Sequence, residues 1–184
     1  MPRLFVALEV PDQTSEALAP LRGGIPFARW IEPDDHHVTL RFLGDVDRRT
    51  AEAAAETLAE VRRAAFSLQF EGLDWFGGEK PRALIARVRP EAALTDLQAE
   101  IERRMRRIGL KAETQNYSPH VTVARLRGVS EALAVDWVAS RAGVPLVGFL
   151  SSHFSLYSAR DCVGGGPYIV EAEYPLQRSS ELVR

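Results

Sequence analysis

The chain has 184 residues, 46% of them apolar and 26% charged, the profile of one globular unit able to bury a core rather than a disordered or fibrous segment. A net charge of −2 excludes a body that holds nucleic acid by bulk electrostatics, so any RNA binding has to be local, in a lined cleft that grips an end. One cysteine, Cys162, excludes an internal disulfide and a thiolate metal cluster, and the apolar run Leu4–Leu8, interrupted at Glu9 and stopped at Pro11, fits neither a membrane span nor a signal peptide, so a cytoplasmic protein is expected.

Residues 3–10 alternate as a strand, with Leu4, Val6 and Leu8 on one face and Phe5, Ala7 and Glu9 on the other. Asp12 or Thr14 is placed to cap a short helix that ends at Gly23-Gly24. Arg29-Trp30-Ile31 reads as a brief strand, and Pro33-Asp34-Asp35 as a turn into a strand over 36–43 that Gly44 and Asp45 close. Ala51, Ala54, Leu58, Val61 and Ala65 fall at helical spacing over 48–65. Phe66, Leu68 and Phe70 mark a strand over 66–75, and Arg82–Arg89 is another. The clearest helix runs from Glu91 to Ile108: Leu94, Leu97, Ile101, Met105 and Ile108 form its stripe, and Gly109 stops it. Its basic run, Arg103, Arg104, Arg106 and Arg107, lies mostly off the stripe and reads as a solvated face. A strand over 120–126, a helix from Ser130 to about Ala142 and two tail strands, over 145–158 and 167–175, complete the chain. Gly164-Gly165-Gly166 lacks the Lys-Ser/Thr of a phosphate loop and reads as a hairpin connector.

Two of the four histidines head the same four-residue pattern, His37-Val38-Thr39-Leu40 and His120-Val121-Thr122-Val123. On a strand, each copy sets an imidazole and a hydroxyl on one face and two aliphatics on the other. A single His-x-Thr strand is as well explained by a core histidine bonded to a carbonyl; a duplicate with the same parity is far more specific. If the two strands meet, two imidazoles and two hydroxyls converge, a set suited to a phosphate diester: one imidazole takes a proton, the other gives one, and the hydroxyls hold the non-bridging oxygens. His36, next to His37, faces the opposite way, and His153 is followed by Phe154-Ser155 and so does not repeat the motif.

The paired motifs, in the contexts Pro33–Gly44 and Ser118–Arg125, resemble the two-histidine (2H) phosphoesterase superfamily, and within it the RNA 2′,3′-cyclic phosphodiesterases, also called 2′-5′ RNA ligases. The opening Arg3–Leu8, the late Leu156-Tyr157-Ser158 and Gly166-Pro167-Tyr168 are similar to that family too, so the likeness spans almost the whole chain. Strands and helices do not alternate strictly enough for a doubly wound sheet, which leaves a mixed α+β arrangement of mostly antiparallel sheet with outer helices. The resemblance implies two pseudo-symmetric lobes in a single domain over 1–184, with the motif strands lining a central cleft.

The resemblance also implies metal- and cofactor-independent hydrolysis of an RNA 2′,3′-cyclic phosphate end, or of a nucleoside 2′,3′-cyclic phosphate, to a 2′-phosphomonoester, together with reversible 2′-5′ RNA ligation. It assigns His37 as proton donor to O3′ and His120 as proton acceptor from water; the residues alone leave those roles interchangeable. Thr39 and Thr122 are the expected oxygen ligands. Arg125 matches a family position that binds substrate, but strict alternation puts it opposite His120, so the strand has to end or bulge near Ala124 for Arg125 to reach the cleft. Arg41 has the parity of His37 and Thr39 and is a second candidate clamp. Phe5 and Tyr157 either frame a base or ribose or belong to the core. A monomer without membrane attachment is expected. The alternatives are a related phosphodiesterase acting on small cyclic nucleotides or other RNA ends, a metal-dependent hydrolase, and a non-catalytic module that binds RNA ends.

Overall fold

The computed structural model describes residues 2–159 and 166–177. Its strands are β1 (Arg3–Glu9), β2 (Arg29–Trp30), β3 (His37–Asp45), β4 (Phe66–Leu68), β5 (Phe70–Phe76), β6 (Ala83–Val88), β7 (His120–Arg125), β8 (Phe149–Ser151), β9 (His153–Ser158) and β10 (Ile169–Pro175). Four α-helices accompany them: α1 (Asp12–Ala17), α2 (Arg48–Leu58), α3 (Ala92–Arg107) and α4 (Glu131–Ser140). The main sheet has the order β10-β9-β1-β3-β7-β6-β5, with β2 on β7; β4 and β8 form a small second sheet. Every strand pair is antiparallel, and the α+β class follows.

β3 and β7 meet at one register pair, Val38 opposite Val121, whereas β1–β3 and β6–β7 are zipped along most of their lengths. The sheet is therefore two well-paired halves touching at the two motif strands, which splay apart from that point. Neither half repeats the other strand for strand, but each carries one motif strand on its inner side.

The strand β1 is buried on both faces, which divides the interior in two. Leu4, Val6 and Leu8 join the large core, together with Val38, Leu40, Val121, Leu97, Ile101 and Trp137. Phe5 and Ala7 join Tyr157 in a smaller cluster on the other face, against which Ala159 and Tyr168 pack. Removing one of the fully buried aliphatics of α3, such as Leu97 or Ile101, is worth about 2–5 kcal/mol.

Several elements end earlier than their periodicity implies, each for a tertiary reason. The first helix stops at Ala17 and continues as a 3₁₀ turn, Ala19–Leu21, with Pro20 in its first turn. Asp47 caps α2 by accepting from the Thr50 amide (2.7 Å), but the helix ends at Leu58, because residues 63 and 65 exchange backbone hydrogen bonds with Gln177. The run 66–75 is broken at Gln69 and the run 145–158 begins late and is broken at Ser152, so each gives one strand to the small sheet and one to the main sheet. Ser130 caps α4 as expected, while Cys162, Gly164 and Gly165 lie outside the described residues.

Candidate active site

The motif strands are alike in more than sequence. From each histidine onward the pattern is half-buried, buried, half-buried, buried, buried, exposed. The two consecutive buried residues mark a bulge at the same place in each copy. In β3 the register jumps from Thr39 (opposite Ala7) to Arg41 (opposite Val6), leaving Leu40 extra; in β7 it jumps from Thr122 (opposite Ile85) to Ala124 (opposite Leu84), leaving Val123 extra. A bulge inverts the parity of everything after it. It turns the fifth residue past each histidine, Phe42 in one strand and Arg125 in the other, to the face that bears His and Thr.

The bulge also overturns the parity argument for Arg41. Arg41 still borders the cleft that holds Thr39 and His120, but it is 7% exposed and its guanidinium is enclosed by Glu102, by Glu113 (3.3 Å) and by the carbonyls of Phe42 and Lys111. Period-two alternation assumes an unbroken ladder, and Leu40 breaks it.

Continuing the Val38–Val121 register by one residue either way sets His37 opposite Thr122 and Thr39 opposite His120. Each imidazole thus faces the hydroxyl of the other motif, and Thr39 and His120 line one cleft. Neither threonine hydroxyl has a hydrogen-bond partner among the described residues, so both are available to an incoming oxygen.

Both rings are held in the same way. His37 Nδ1 lies 2.8 Å from the carbonyl of Asp35, and His120 Nδ1 lies 2.7 Å from that of Ser118. A carbonyl only accepts, so Nδ1 carries the hydrogen and Nε2 is the free nitrogen of each neutral ring. The turns that begin at Pro33 and end at Pro119 supply these carbonyls, fixing tautomer and tilt through the backbone.

The surroundings of the two rings differ. His37 is walled by Phe5 (4.9 Å between ring centres), Tyr168 (5.1 Å, edge-on) and Tyr157 (6.3 Å). Phe5 stacks on Tyr157 at 5.2 Å, and the two are only 3% and 8% exposed. Asp35 fastens this wall: its carbonyl holds His37, while its carboxylate accepts from the Tyr168 amide (3.0 Å) and abuts Gly166, where a Cβ would stand 1.9 Å from Oδ2. Arg29 completes the anchor by donating to the Gly166 carbonyl (3.0 Å). Among the described residues His120 has one aromatic neighbour, Phe76, edge-on at 4.7 Å.

Burial pushes the pKa of His37 down to about 4, against the opposing pull of the Asp35 carbonyl, with His120, Arg125 and His36 lowering it further. Burial lowers His120 as well, by less, with the Ser118 carbonyl opposing and Arg125 adding to it. Arg125 is exposed and its charge reaches both imidazoles. His36 lies buried on the core side, its Nδ1 without a hydrogen-bond partner among the described residues, and burial also holds its pKa at about 4. His153 bonds Glu9 at 3.0 Å, apart from the motif pair.

Parity does not mark Phe76, Phe42 or Asp35 as site residues, and Tyr168 stands out in the sequence only through the likeness of Gly166-Pro167-Tyr168 to the family. The bulges and the closing loop bring the aromatics to the cleft, and neither leaves a periodic signal. Asp35 was legible only as a turn residue.

A mostly antiparallel sheet whose two His-x-Thr strands meet at one point defines a two-histidine phosphoesterase arrangement. The 2′-5′ RNA ligase superfamily matches residues 10–161, both motifs included, and the chain belongs to that family. It is 31% identical over 129 residues to the RNA 2′,3′-cyclic phosphodiesterase of Archaeoglobus fulgidus, covering 68% of this chain and 73% of that protein. It is 32% identical over 128 residues to the protein of the same name from Geobacillus stearothermophilus, covering 66% of this chain but 41% of that longer protein. Its fold is shared with E. coli LigT in complex with 3′-AMP, at a TM-score of 0.76 and 24% identity over 97% of this chain and 100% of that one. Among the described residues no helix is long and apolar enough to cross a membrane.

Proposed function

We propose that the chain, as one bilobal unit, hydrolyses the 2′,3′-cyclic phosphate of an RNA end to a 2′-phosphomonoester by paired-imidazole acid–base catalysis. The observation that carries this is the register at Val38–Val121, which sets two identically tethered imidazoles across from two unengaged hydroxyls. The names of the Archaeoglobus and Geobacillus relatives point to the same substrate class.

In the proposed reaction His120 Nε2 takes a proton from water as that water attacks phosphorus. The P–O3′ bond breaks, and His37 Nε2–H gives its proton to the departing O3′. Thr39 and Thr122 donate to the non-bridging oxygens, and Arg125 adds a cation to the same region. No covalent intermediate is needed. With O3′ leaving, phosphate stays on O2′; exchanging the two roles leaves it on O3′. The donor assignment follows the family resemblance. Burial keeps His37 the more firmly neutral of the pair, so the anionic substrate has to raise its pKa before it acts as an acid. Ligation to a 2′-5′ bond is the same path with a 5′-hydroxyl in place of water: O5′ attacks phosphorus and gives its proton to His120, and O3′ leaves with the proton from His37.

The test is turnover of an RNA bearing a 2′,3′-cyclic phosphate, in chelator, by the wild type and by His37→Ala and His120→Ala. We expect wild-type hydrolysis and a loss of about 10²–10⁴ in kcat for each variant with circular dichroism unchanged. A binding module would show no turnover, and a metal hydrolase would stop in chelator and resume with added metal.

A further inference from the structure

We propose that the carboxylate of Asp35 is a positioning residue of the active site: it clamps the Gly166–Tyr168 segment so that the Tyr168 ring stands edge-on against His37 and keeps water from that side of the imidazole. The inference deepens the phosphodiesterase reading and rests on it for its catalytic consequence.

The walls beside the two imidazoles are built differently. Phe76, next to His120, ends β5 and is carried by the β5–β6 ladder. Tyr168 stands just before β10, in a stretch that is neither helix nor strand. Its ring nevertheless meets His37 at 5.1 Å and 90°, and Phe5 at 5.0 Å and 77°. Something other than a ladder has to hold it there.

Asp35 does so from one side and Arg29 from the other. Asp35 Oδ1 accepts from the Tyr168 amide at 3.0 Å, a charge-assisted bond. Asp35 Oδ2 occupies the space that a side chain at position 166 would need, since a Cβ on Gly166 would stand 1.9 Å from it, and the backbone there has φ +84°. Arg29 donates to the Gly166 carbonyl at 3.0 Å, so both ends of the segment are held. The base of the clamp is fixed in turn. Asp35 closes the 3₁₀ turn Pro33–Asp35, its amide donates to the Glu32 carbonyl (3.0 Å), and Ser15 Oγ donates to the Pro33 carbonyl (3.2 Å).

The carboxylate stands where its charge is costly. Burial raises its pKa and Asp34 and Glu32 add to this, while the Tyr168 amide and Arg29 oppose it. Among the described residues it forms no ion pair, and the Tyr168 amide is the donor it faces. One residue thereby serves His37 twice: its carbonyl takes the Nδ1 hydrogen, and its side chain seats the ring that shuts out water. That exclusion of water is what most lowers the proton affinity of His37, ahead of the charges of His120, Arg125 and His36.

The experiment follows His37 by NMR pH titration of protein labelled with ¹⁵N-histidine, its signals identified by their loss in His37→Ala, beside kcat and KM on adenosine 2′,3′-cyclic phosphate. We expect Asp35→Ala to raise the His37 pKa by about 1 pH unit or more while His153 titrates as before, and to lower kcat about 10-fold or more with KM little changed. Gly166→Ala, which drives the segment off Asp35 without altering the turn, should do the same. Asp35→Asn, which keeps an acceptor for the Tyr168 amide, should restore most of both. If Asp35→Ala and Gly166→Ala leave the His37 titration unchanged, the carboxylate does not act through His37 and the inference fails, whether or not kcat falls, while the phosphodiesterase reading stands on wild-type turnover. If the titration moves as expected but the wild type turns over no 2′,3′-cyclic phosphate, the phosphodiesterase reading fails and takes the catalytic consequence with it.

Discussion

The two halves of the sheet that meet at Val38 and Val121 use one device twice and then part company. In both, a turn carbonyl fixes Nδ1 of a histidine, a threonine follows two residues on, and a bulge at the next position turns the fifth residue toward the cleft. What surrounds the device differs. The His37 half is closed by Phe5, Tyr157 and Tyr168 and carries a buried, doubly acid-paired Arg41 where the other half has Ala124. The His120 half is open to a cavity and has Arg125 where the first has Phe42. The lesson is that symmetry positions the reacting groups, while asymmetry around them divides their tasks.

The largest effect should come from treating the pair as one machine. The double variant His37→Ala/His120→Ala should be little worse in kcat than the poorer single variant, because either loss already breaks the proton relay. Losses that multiply would mean that the two rings act independently. Next, Arg41→Ala should cost about 1–3 kcal/mol of stability by leaving the half-buried Glu102 without its cation, measured by denaturant unfolding. A loss of substrate affinity with unchanged stability would instead make Arg41 a clamp on the substrate. Thr39→Ala and Thr122→Ala should each cost about 1.5–3 kcal/mol in kcat/KM, and by similar amounts, since each faces the opposite histidine. A large effect at one alone would break the equivalence of the motifs.

The pH dependence sharpens the comparison further. Productive protonation needs one imidazole charged and one neutral, and both pKa values lie below the ordinary histidine value of 6.5. The profile of kcat/KM for the free enzyme should thus be bell-shaped with its maximum below pH 6.5, both limbs belonging to the pair. Arg125 lowers both values, so Arg125→Ala should move the alkaline limb upward while reducing kcat/KM. Stability should depend on pH as well. His36 and His37 are neutral in the fold down to about pH 4, whereas the unfolded chain takes up those protons near 6.5. Their linkage leaves stability intact above pH 6.5 and erodes it as the pH falls toward 4. Melting curves at pH 7.5 and pH 5 test this; equal midpoints would contradict it.

Much of this was legible in the sequence because parity and repetition are local signals. His37, Thr39, His120 and Thr122 declare themselves by a repeated alternation, and the stripe of α3 predicts its extent to within a residue at either end. What was not legible depended on register. Alternation gave Arg41 the face of His37 and Thr39 because nothing in His-Val-Thr-Leu-Arg marks Leu40 as the extra residue, and it gave no sign that Glu102 and Glu113 engage the guanidinium at the edge of the cleft. Arg125 posed the same question openly, and a bulge at Val123 is how the strand turns it. The broken strands at Gln69 and Ser152 were hidden for the same reason, since an alternating run looks identical whether it serves one sheet or two. Phe42 and Phe76 carry no such signal, and Tyr168 shows only as part of a family-like segment, because an aromatic in a strand or loop says nothing of which face it will cover.

The difference between the halves is tested most directly by the product. Hydrolysis of an oligoribonucleotide 2′,3′-cyclic phosphate, in EDTA, should yield the 2′-phosphomonoester, as assigned by resistance or sensitivity to a 3′-specific phosphatase and by ³¹P NMR. That outcome places the donor at O3′, on the His37 side. Accumulation of the 3′-phosphomonoester would exchange the two imidazoles' tasks and contradict the account.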